Sequence, residues 1–270
     1  IMTQISVETT SKHFKLVLVF LALCLSAGSP AKETVRLAAG EWKPYVSPSM
    51  SNYGPFSRIV TDAFALEGID VEYGFFPWKR SMLIAAQGAW DGTLPWGYQN
   101  ERTEHFYHSE PVSKQRYFFF HLKRLEFDWK SYDDLHGFTI GASSVYNYKK
   151  GFQRAEKEGT IKVVRVGTEK QLIKLLLAGR IQLALIERKI AQSLMCSSFS
   201  PQEIDQITYH PKLQSEGGLH LLLSKKHKRN QSLINRFNKG LMQLQKNGAA
   251  DFKYATCSQQ ASRVSLLSAP

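Results

Sequence analysis

Arg102 is the residue of this sequence whose position most clearly suggests a chemical role. It follows the apolar run Gly92–Trp96 and precedes the aromatic run Tyr117–Phe120. A guanidinium in the loop after a buried strand can hold a carboxylate through two parallel hydrogen bonds. The alternative is that Arg102 forms an ion pair with Glu104 or Glu110 on a solvated turn. The residues around Arg102 leave both interpretations open.

Ser144 lies in a second segment with possible binding chemistry, Ser143–Asn147, which precedes a predicted helix over residues 147–157. The N–H groups and the dipole at the start of a helix attract anions. Ser144 is therefore a candidate contributor to an anion-binding loop.

Short apolar strands alternate with amphipathic helices along the chain. Thr168 and Gln171 have the spacing of a capping box, which predicts the start of a helix over residues 168–178. Two strand–helix–strand units are followed by a last strand over 218–223 and a last helix over 232–247. This order predicts an α/β fold with largely parallel sheets and helices on both faces.

Residues 1–31 have the pattern of a cleaved secretory signal peptide, with lysines, an apolar run and then small residues. The apolar run Leu16–Leu25 is shorter than the roughly 20 residues that a membrane-spanning helix needs. The pattern therefore predicts a periplasmic protein. Attachment of lipid at Cys24 is disfavoured because the bulky Leu23 stands before it.

The chain is basic, with 35 Lys and Arg residues against 23 Asp and Glu residues and a net charge of +12. Such a charge suits nucleic acid, an anionic membrane surface or acidic ligands. The basic residues are scattered except for Lys225–Arg229, which we interpret as a solvated loop between a strand and a helix. Since no nucleic-acid motif accompanies them, we predict no nucleic-acid partner.

The sequence predicts neither a metal site nor a cofactor. His105 and His108 are three positions apart, but no cysteine or third histidine stands beside them. Phosphate-loop and dinucleotide-binding patterns are missing as well. Cys196 and Cys257 could pair in an oxidising compartment, and the sequence leaves that pairing open.

Several ordered segments resemble the family 3 solute-binding proteins of bacterial uptake systems. The segments are Leu37–Tyr45 with its Pro-aromatic turn, Gly54–Gly68, the Arg102 region, Ser131–Gly137 with its Asp-Leu-x-Gly, and Leu175–Ile181 with its Gly-Arg. The resemblance covers about residues 34–255. It implies a two-lobed type II periplasmic-binding-protein fold, in which each lobe is a mostly parallel sheet flanked by helices and the ligand cleft lies between the lobes.

The resemblance also implies that the chain crosses between the lobes twice. Lobe one would comprise residues 34–120 together with 218–256, and lobe two would comprise residues 121–217. Residues 257–270 would form a polar tail.

Amino-acid binders of this family use an Arg for the ligand carboxylate, an acid for its ammonium and an aromatic residue as a cover. The resemblance assigns these roles to Arg102, Glu187 and Trp42. The alternatives are that Glu187 is a surface acid paired with Arg188 or Lys189, and that Trp42 packs in the core.

Three further aromatic residues are candidates for the cleft. The chain has Tyr146 where the family often has Gly-Ser or Gly-Thr, so we expect Tyr146 to narrow the cleft. Trp78 opens a helix and Trp96 lies at a strand end, both on the predicted cleft side. Packing within lobe one is the alternative for both tryptophans.

The resemblance implies a monomer that closes over a small amino-acid-like ligand and delivers it to a membrane permease of an ABC-type system. We expect the hinges near residues 120–124, where the chain leaves lobe one, and near 214–218, where paired glycines permit large changes in dihedral angle. One alternative is a cyclohexadienyl-dehydratase-like enzyme, with Glu187 or Glu41 as general acid. A second catalytic partner is not evident, which disfavours the enzyme. A third interpretation is a ligand-sensing module for a membrane signalling protein, which the sequence does not separate from transport.

Overall fold

The computed structural model describes residues 32–146 and 148–250. The predicted signal peptide over residues 1–31, Asn147 and the predicted tail over 257–270 lie outside the described residues. Cys196 is disulfide-bonded, and the other two cysteines, Cys24 and Cys257, also lie outside them. None of the described helices is both long enough and apolar enough to cross a membrane.

Strands and helices alternate through most of the described chain. The strands are β1 (Thr34–Ala39), β2 (Asp70–Phe75), β3 (Gly92–Gly97), β4 (Phe106–His108), β5 (Ser113–Leu122), β6 (Thr139–Ser143), β7 (Lys162–Val166), β8 (Leu183–Glu187), β9 (Ile207–Tyr209) and β10 (Ser215–Ser224). The helices are α1 (Pro55–Ala65), α2 (Trp78–Ala86), α3 (Lys150–Lys157), α4 (Glu169–Leu177), α5 (Arg188–Ser198), α6 (Pro201–Asp205) and α7 (Asn230–Lys246). Single 3₁₀ turns cover Ser51–Tyr53, Asn100–Glu104 and Asp133–Leu135.

The strands form one mixed sheet in the order β2-β1-β3-β10-β5-β8-β6-β7, with β4 beside β10 and β9 beside β5. We call β1–β4, β10, α1, α2 and α7 the first half, and β6–β9 with α3–α6 the second half. Within each half, the strands joined by crossover helices are parallel. The long strands β5 and β10 are antiparallel to their neighbours, so the sheet is less parallel than the alternation of elements predicts.

Strand β5 connects the two halves because it changes partner along its length. Ser113 to Tyr117 pair with β10, and Tyr117 to Phe120 pair with β8. The change occurs at Tyr117, which lies opposite both Ser215 and Glu187.

The phenylalanines of β5 also join two parts of the core. Successive side chains of a strand point to opposite faces of the sheet. Phe118 and Phe120 accordingly lie in the large apolar cluster that includes α1, α4 and α7. Phe119 is fully buried in a second cluster, where its ring packs edge-on against Trp129.

Helix α4 begins as the sequence predicts. Thr168 accepts a hydrogen bond from the backbone N–H of Gln171, and the Gln171 side chain accepts one from the Thr168 N–H. The predicted capping box is therefore confirmed, and it fixes the position of Glu169, the first residue of the helix.

Candidate functional site

Arg102 lies on the 3₁₀ turn that follows β3 and is half-buried. One of its Nη atoms donates to the backbone oxygen of Gly97 at 2.6 Å, and the guanidinium carbon lies 4.7 Å from the centre of the Trp96 ring. Among the described residues, no carboxylate lies within ion-pairing distance of Arg102, so neither Glu104 nor Glu110 neutralises it. Burial lowers the pKa of Arg102, although the nearby charge of Glu101 opposes that change. The site thus contains a partly desolvated cation with unused donors.

Trp96 packs against Arg102, and Trp78 packs against Trp96. The two indole rings meet edge-to-face at 5.1 Å, and Trp96 Nε1 donates to Thr93 Oγ1 at 2.9 Å. Trp78 lies against the backbone of Gly40, where an added Cβ would come within 2.2 Å of the ring. The structure therefore brings Trp78, Trp96 and Arg102 together as one packed cluster at the ends of β1 and β3.

Trp42 and Tyr146 meet although they belong to different halves of the sheet. Trp42 Nε1 donates to the Tyr146 hydroxyl at 3.1 Å across a sequence separation of 104 residues. Trp42 also stacks on Tyr45, with ring centroids 4.7 Å apart and planes 29° apart. Burial raises the pKa of Tyr146 far above that of a free tyrosine. The two halves are thus in direct contact beside the candidate site.

Glu187 is 1 % exposed, so it is not a surface acid. One carboxylate oxygen caps helix α5 by accepting from the backbone N–H of Ile190 at 2.9 Å, and the other accepts from the N–H of Arg116 at 3.4 Å. Burial raises the pKa of Glu187, while these two hydrogen bonds and the charge of Lys189 act in the opposite direction. The carboxylate is therefore held firmly at the junction of β5, β8 and α5.

Ser144 directs its hydrogen-bond donors into the fold. Its N–H and its hydroxyl both donate to the backbone oxygen of Val166, at 2.8 and 3.1 Å. Helix α3 begins only at Lys150, so its N-terminus is separated from Ser144 in the chain. In this arrangement Ser144 has no donor left for an anion, although its hydroxyl can still accept.

Three residues beside the candidate site were not predicted from the sequence: Tyr45, Tyr117 and Tyr148. Tyr45 lies in the Pro-aromatic turn, but its full burial could not be read from the turn pattern.

A small group of rings lies near Arg102. The rings of Tyr98 and His108 are 5.0 Å apart, and those of His108 and His220 are 6.1 Å apart. Burial lowers the pKa of His108, and electrostatic interactions with His220 and Arg102 lower it further. Within the described residues, no group of three or more His, Cys, Asp or Glu side chains could hold a metal ion.

Comparison with known proteins gives similarity at the level of structure. No protein-family model matches the chain, and no curated protein matches its sequence. Substrate-binding domain 2 of GlnP from Lactococcus lactis, in an open conformation, superposes with a TM-score of 0.65 at 18% identity, covering 83% of this chain and 94% of that one. An ancestral arginine-binding protein bound to arginine superposes with a TM-score of 0.60 at 17% identity, and the match covers 82% of this chain and 96% of that one.

This chain has the fold of two-lobed periplasmic binding domains. The fold class predicted from the sequence is therefore confirmed. A histidine kinase sensor domain with similarity to periplasmic binding proteins also matches, with a TM-score of 0.59, 15% identity and coverage of 82% and 94%. Because these matches share less than a fifth of their residues with this chain, they establish its fold and not its ligand.

Proposed function

We propose that this protein is an exported, monomeric binding protein that captures a small amino-acid-like ligand between its two lobes. The observation that carries the proposal is the half-buried Arg102 without a carboxylate partner, seated on the face of Trp96. A desolvated guanidinium with free donors suits a ligand carboxylate. Delivery of the ligand to a membrane permease of an ABC-type system completes the proposal.

The binding cleft would lie between Arg102, Trp96 and Trp78 of lobe one and Glu187 of lobe two, with Trp42 and Tyr146 covering the ligand. Lobe one would comprise residues 34–120 with 218–256, and lobe two residues 121–217. The sequence predicts hinges near residues 120–124 and 214–218. We place the first hinge slightly earlier, at Tyr117 opposite Ser215, because β5 exchanges its partner strand there. Hinges of this kind need only a few residues to absorb the change in dihedral angles.

The test is a thermal-shift screen against amino acids and small carboxylates. A ligand present at 100 times its dissociation constant stabilises the folded protein by about 2.7 kcal/mol. Small-angle scattering with a saturating hit should then show a smaller radius of gyration. A screen without any stabilising amino acid or carboxylate would contradict the proposed function.

A sensing role is the second candidate, favoured by the similarity to a histidine kinase sensor domain. The binding chemistry would be the same, and only the membrane partner would differ. Co-purification of the ligand-loaded protein with its membrane partner, followed by identification of a permease or a kinase, separates the two roles.

Replacing Glu187 with glutamine should weaken binding of ligands that carry an α-ammonium. A hydrogen bond to a charged group contributes about 1.5–3 kcal/mol, which corresponds to a loss of about 10- to 150-fold in affinity. Calorimetry with an amino acid and with its desamino analogue should show the loss for the amino acid alone. Equal losses for both would mean that Glu187 acts only as the helix cap of α5.

A further inference from the structure

A groove lies between the last helix, α7, and the segment that leads into β5. Its volume is about 930 Å³. Asn238, Met242 and Gln245 line it from one face of α7, since they are spaced four and three residues apart. Residues 110–114 line it as well, and Lys189 contributes from the first turn of α5. The groove is therefore bordered by α7 of the first half and by α5 of the second half.

The described chain ends in the wall of this groove. The backbone N–H groups of Ala249 and Ala250 donate to the backbone oxygen of Leu244 at 2.9 and 3.1 Å, and Ala250 lines the groove. Residues 251–257 follow directly and end in a cysteine. Seven residues of extended chain reach at most about 25 Å. The path of this segment therefore starts at the groove.

The disulfide bond of Cys196 indicates where that path leads. Its partner is Cys24 or Cys257, the other two cysteines of the chain. Cys24 belongs to the predicted signal peptide, which export would remove, so a mature protein would retain only Cys257. Cys196 follows Lys189 by seven positions, which places it on the same face of α5 and about 10 Å further along the helix. A segment that begins at Ala250 and passes Lys189 would bring Cys257 towards Cys196.

The composition of residues 251–257 suits the groove. Asp251 follows Ala250 directly, and an acidic group there complements the basic lining. Phe252 and Tyr254 are two positions apart, so an extended chain would direct both rings to one side. Met242 is 47 % exposed and offers them an apolar surface. The basic residues of the lining are Lys114, Lys189 and Lys239, and its further apolar residues are Pro111 and Val112.

We propose that residues 251–257 occupy this groove and are held there by a disulfide between Cys257 and Cys196. We call residues 251–257 with this bond the strap. The strap joins α7 of the first half to α5 of the second half, so it limits how far the halves can separate about β5. Lys189 marks the crossing point, because its Nζ also donates to Ser113 Oγ of β5 at 3.1 Å. An oxidising compartment favours such a bond.

Peptide mapping of the purified full chain, without reductant, tests the disulfide. Trypsin cleaves after Lys and Arg, so Cys196 falls in the peptide 190–212 and Cys257 in the peptide 254–263. We expect the two peptides as one linked species that reductant separates. Linkage of 190–212 to a peptide with Cys24, or free thiols at Cys196 and Cys257, would overturn the strap.

Oxidation of Met242 by hydrogen peroxide shows whether the strap covers the groove. The released-tail variant carries Phe252→Ser, Tyr254→Ser, Cys196→Ser and Cys257→Ser, and the control variant carries Gln259→Ala and Gln260→Ala, beyond the strap. Relative to Met50, Met242 should oxidise about threefold faster in the released-tail variant than in the wild type or the control. Equal rates in all three would overturn the docking. Protection that grows with protein concentration would also overturn it, in favour of a second copy of the chain.

Electron paramagnetic resonance between two spin labels measures the restraint. The labels are attached through Asp70→Cys and Glu158→Cys, at exposed positions of the two halves. We expect the distribution of distances to be about twice as broad in the released-tail variant as in the wild type. Equal widths would overturn the restraint. Each of these measurements is made without ligand, so a failure here is distinct from a failure of the proposed binding function.

Discussion

Replacing Arg102 with alanine is expected to abolish ligand binding while leaving the protein folded. Arg102 is half-buried, contacts Gly97 and Trp96, and meets no carboxylate among the described residues that its removal would leave unpaired. Loss of a desolvated charge contact costs about 2–5 kcal/mol, or about 30- to 5,000-fold in affinity. Calorimetry with the best ligand from the thermal-shift screen measures the change.

The matched control for this variant is Arg180→Ala. Arg180 is exposed, and its replacement removes the same charge from the surface. Arg102→Lys adds a second comparison, because an ammonium cannot make the two parallel hydrogen bonds of a guanidinium. Near-normal affinity in Arg102→Ala, with an unchanged circular dichroism spectrum, would remove Arg102 from the binding site.

Replacing Gly240 with alanine should destabilise the fold, although alanine is the better helix former. An added Cβ would lie 2.1 Å from the backbone oxygen of Ala63, where α7 crosses α1. Backbone atoms cannot rotate away, so the helices would have to separate. We expect a net loss of about 2 kcal/mol, which outweighs the gain in helix propensity. For a protein of this size, thermal unfolding should occur about 4–8 °C lower.

Gly217→Ala is the control for this substitution. An added Cβ at Gly217 meets no atom within 4 Å, so its unfolding temperature should stay close to that of the wild type. If Gly240→Ala were as stable as the wild type, the close approach of α1 and α7 would be wrong.

Local sequence patterns predicted most elements to within a few residues. The helix predicted over 168–178 spans Glu169–Leu177, and the last helix, predicted over 232–247, spans Asn230–Lys246. Periodicity and capping act within a few residues, so they can be recognised without knowledge of the fold. Helix α5 was missed, as were the three-residue strands β4 and β9. These two short strands form because β4 pairs with β10 and β9 pairs with β5.

For the candidate site, too, the sequence predicted individual residues and the structure showed how they contact one another. The sequence singled out Arg102, Trp78 and Trp96 individually, and the structure adds that Arg102 lies over the Trp96 ring, which in turn meets Trp78 edge-to-face. The sequence also identified Glu187 as an acidic residue that follows a strand. The fold adds that backbone N–H groups of Ile190 and Arg116 hold its carboxylate.

The sequence by itself determined the alternation of strands and helices, the capping box of α4 and the presence of a cationic side chain, Arg102, after β3. Each of these depends on residues that are close together in the chain. Only the tertiary structure decided that Trp42 meets Tyr146 and that β5 exchanges partners at Tyr117. Burial and pairing depend on which distant segments pack together, and no local pattern encodes the contacts between them.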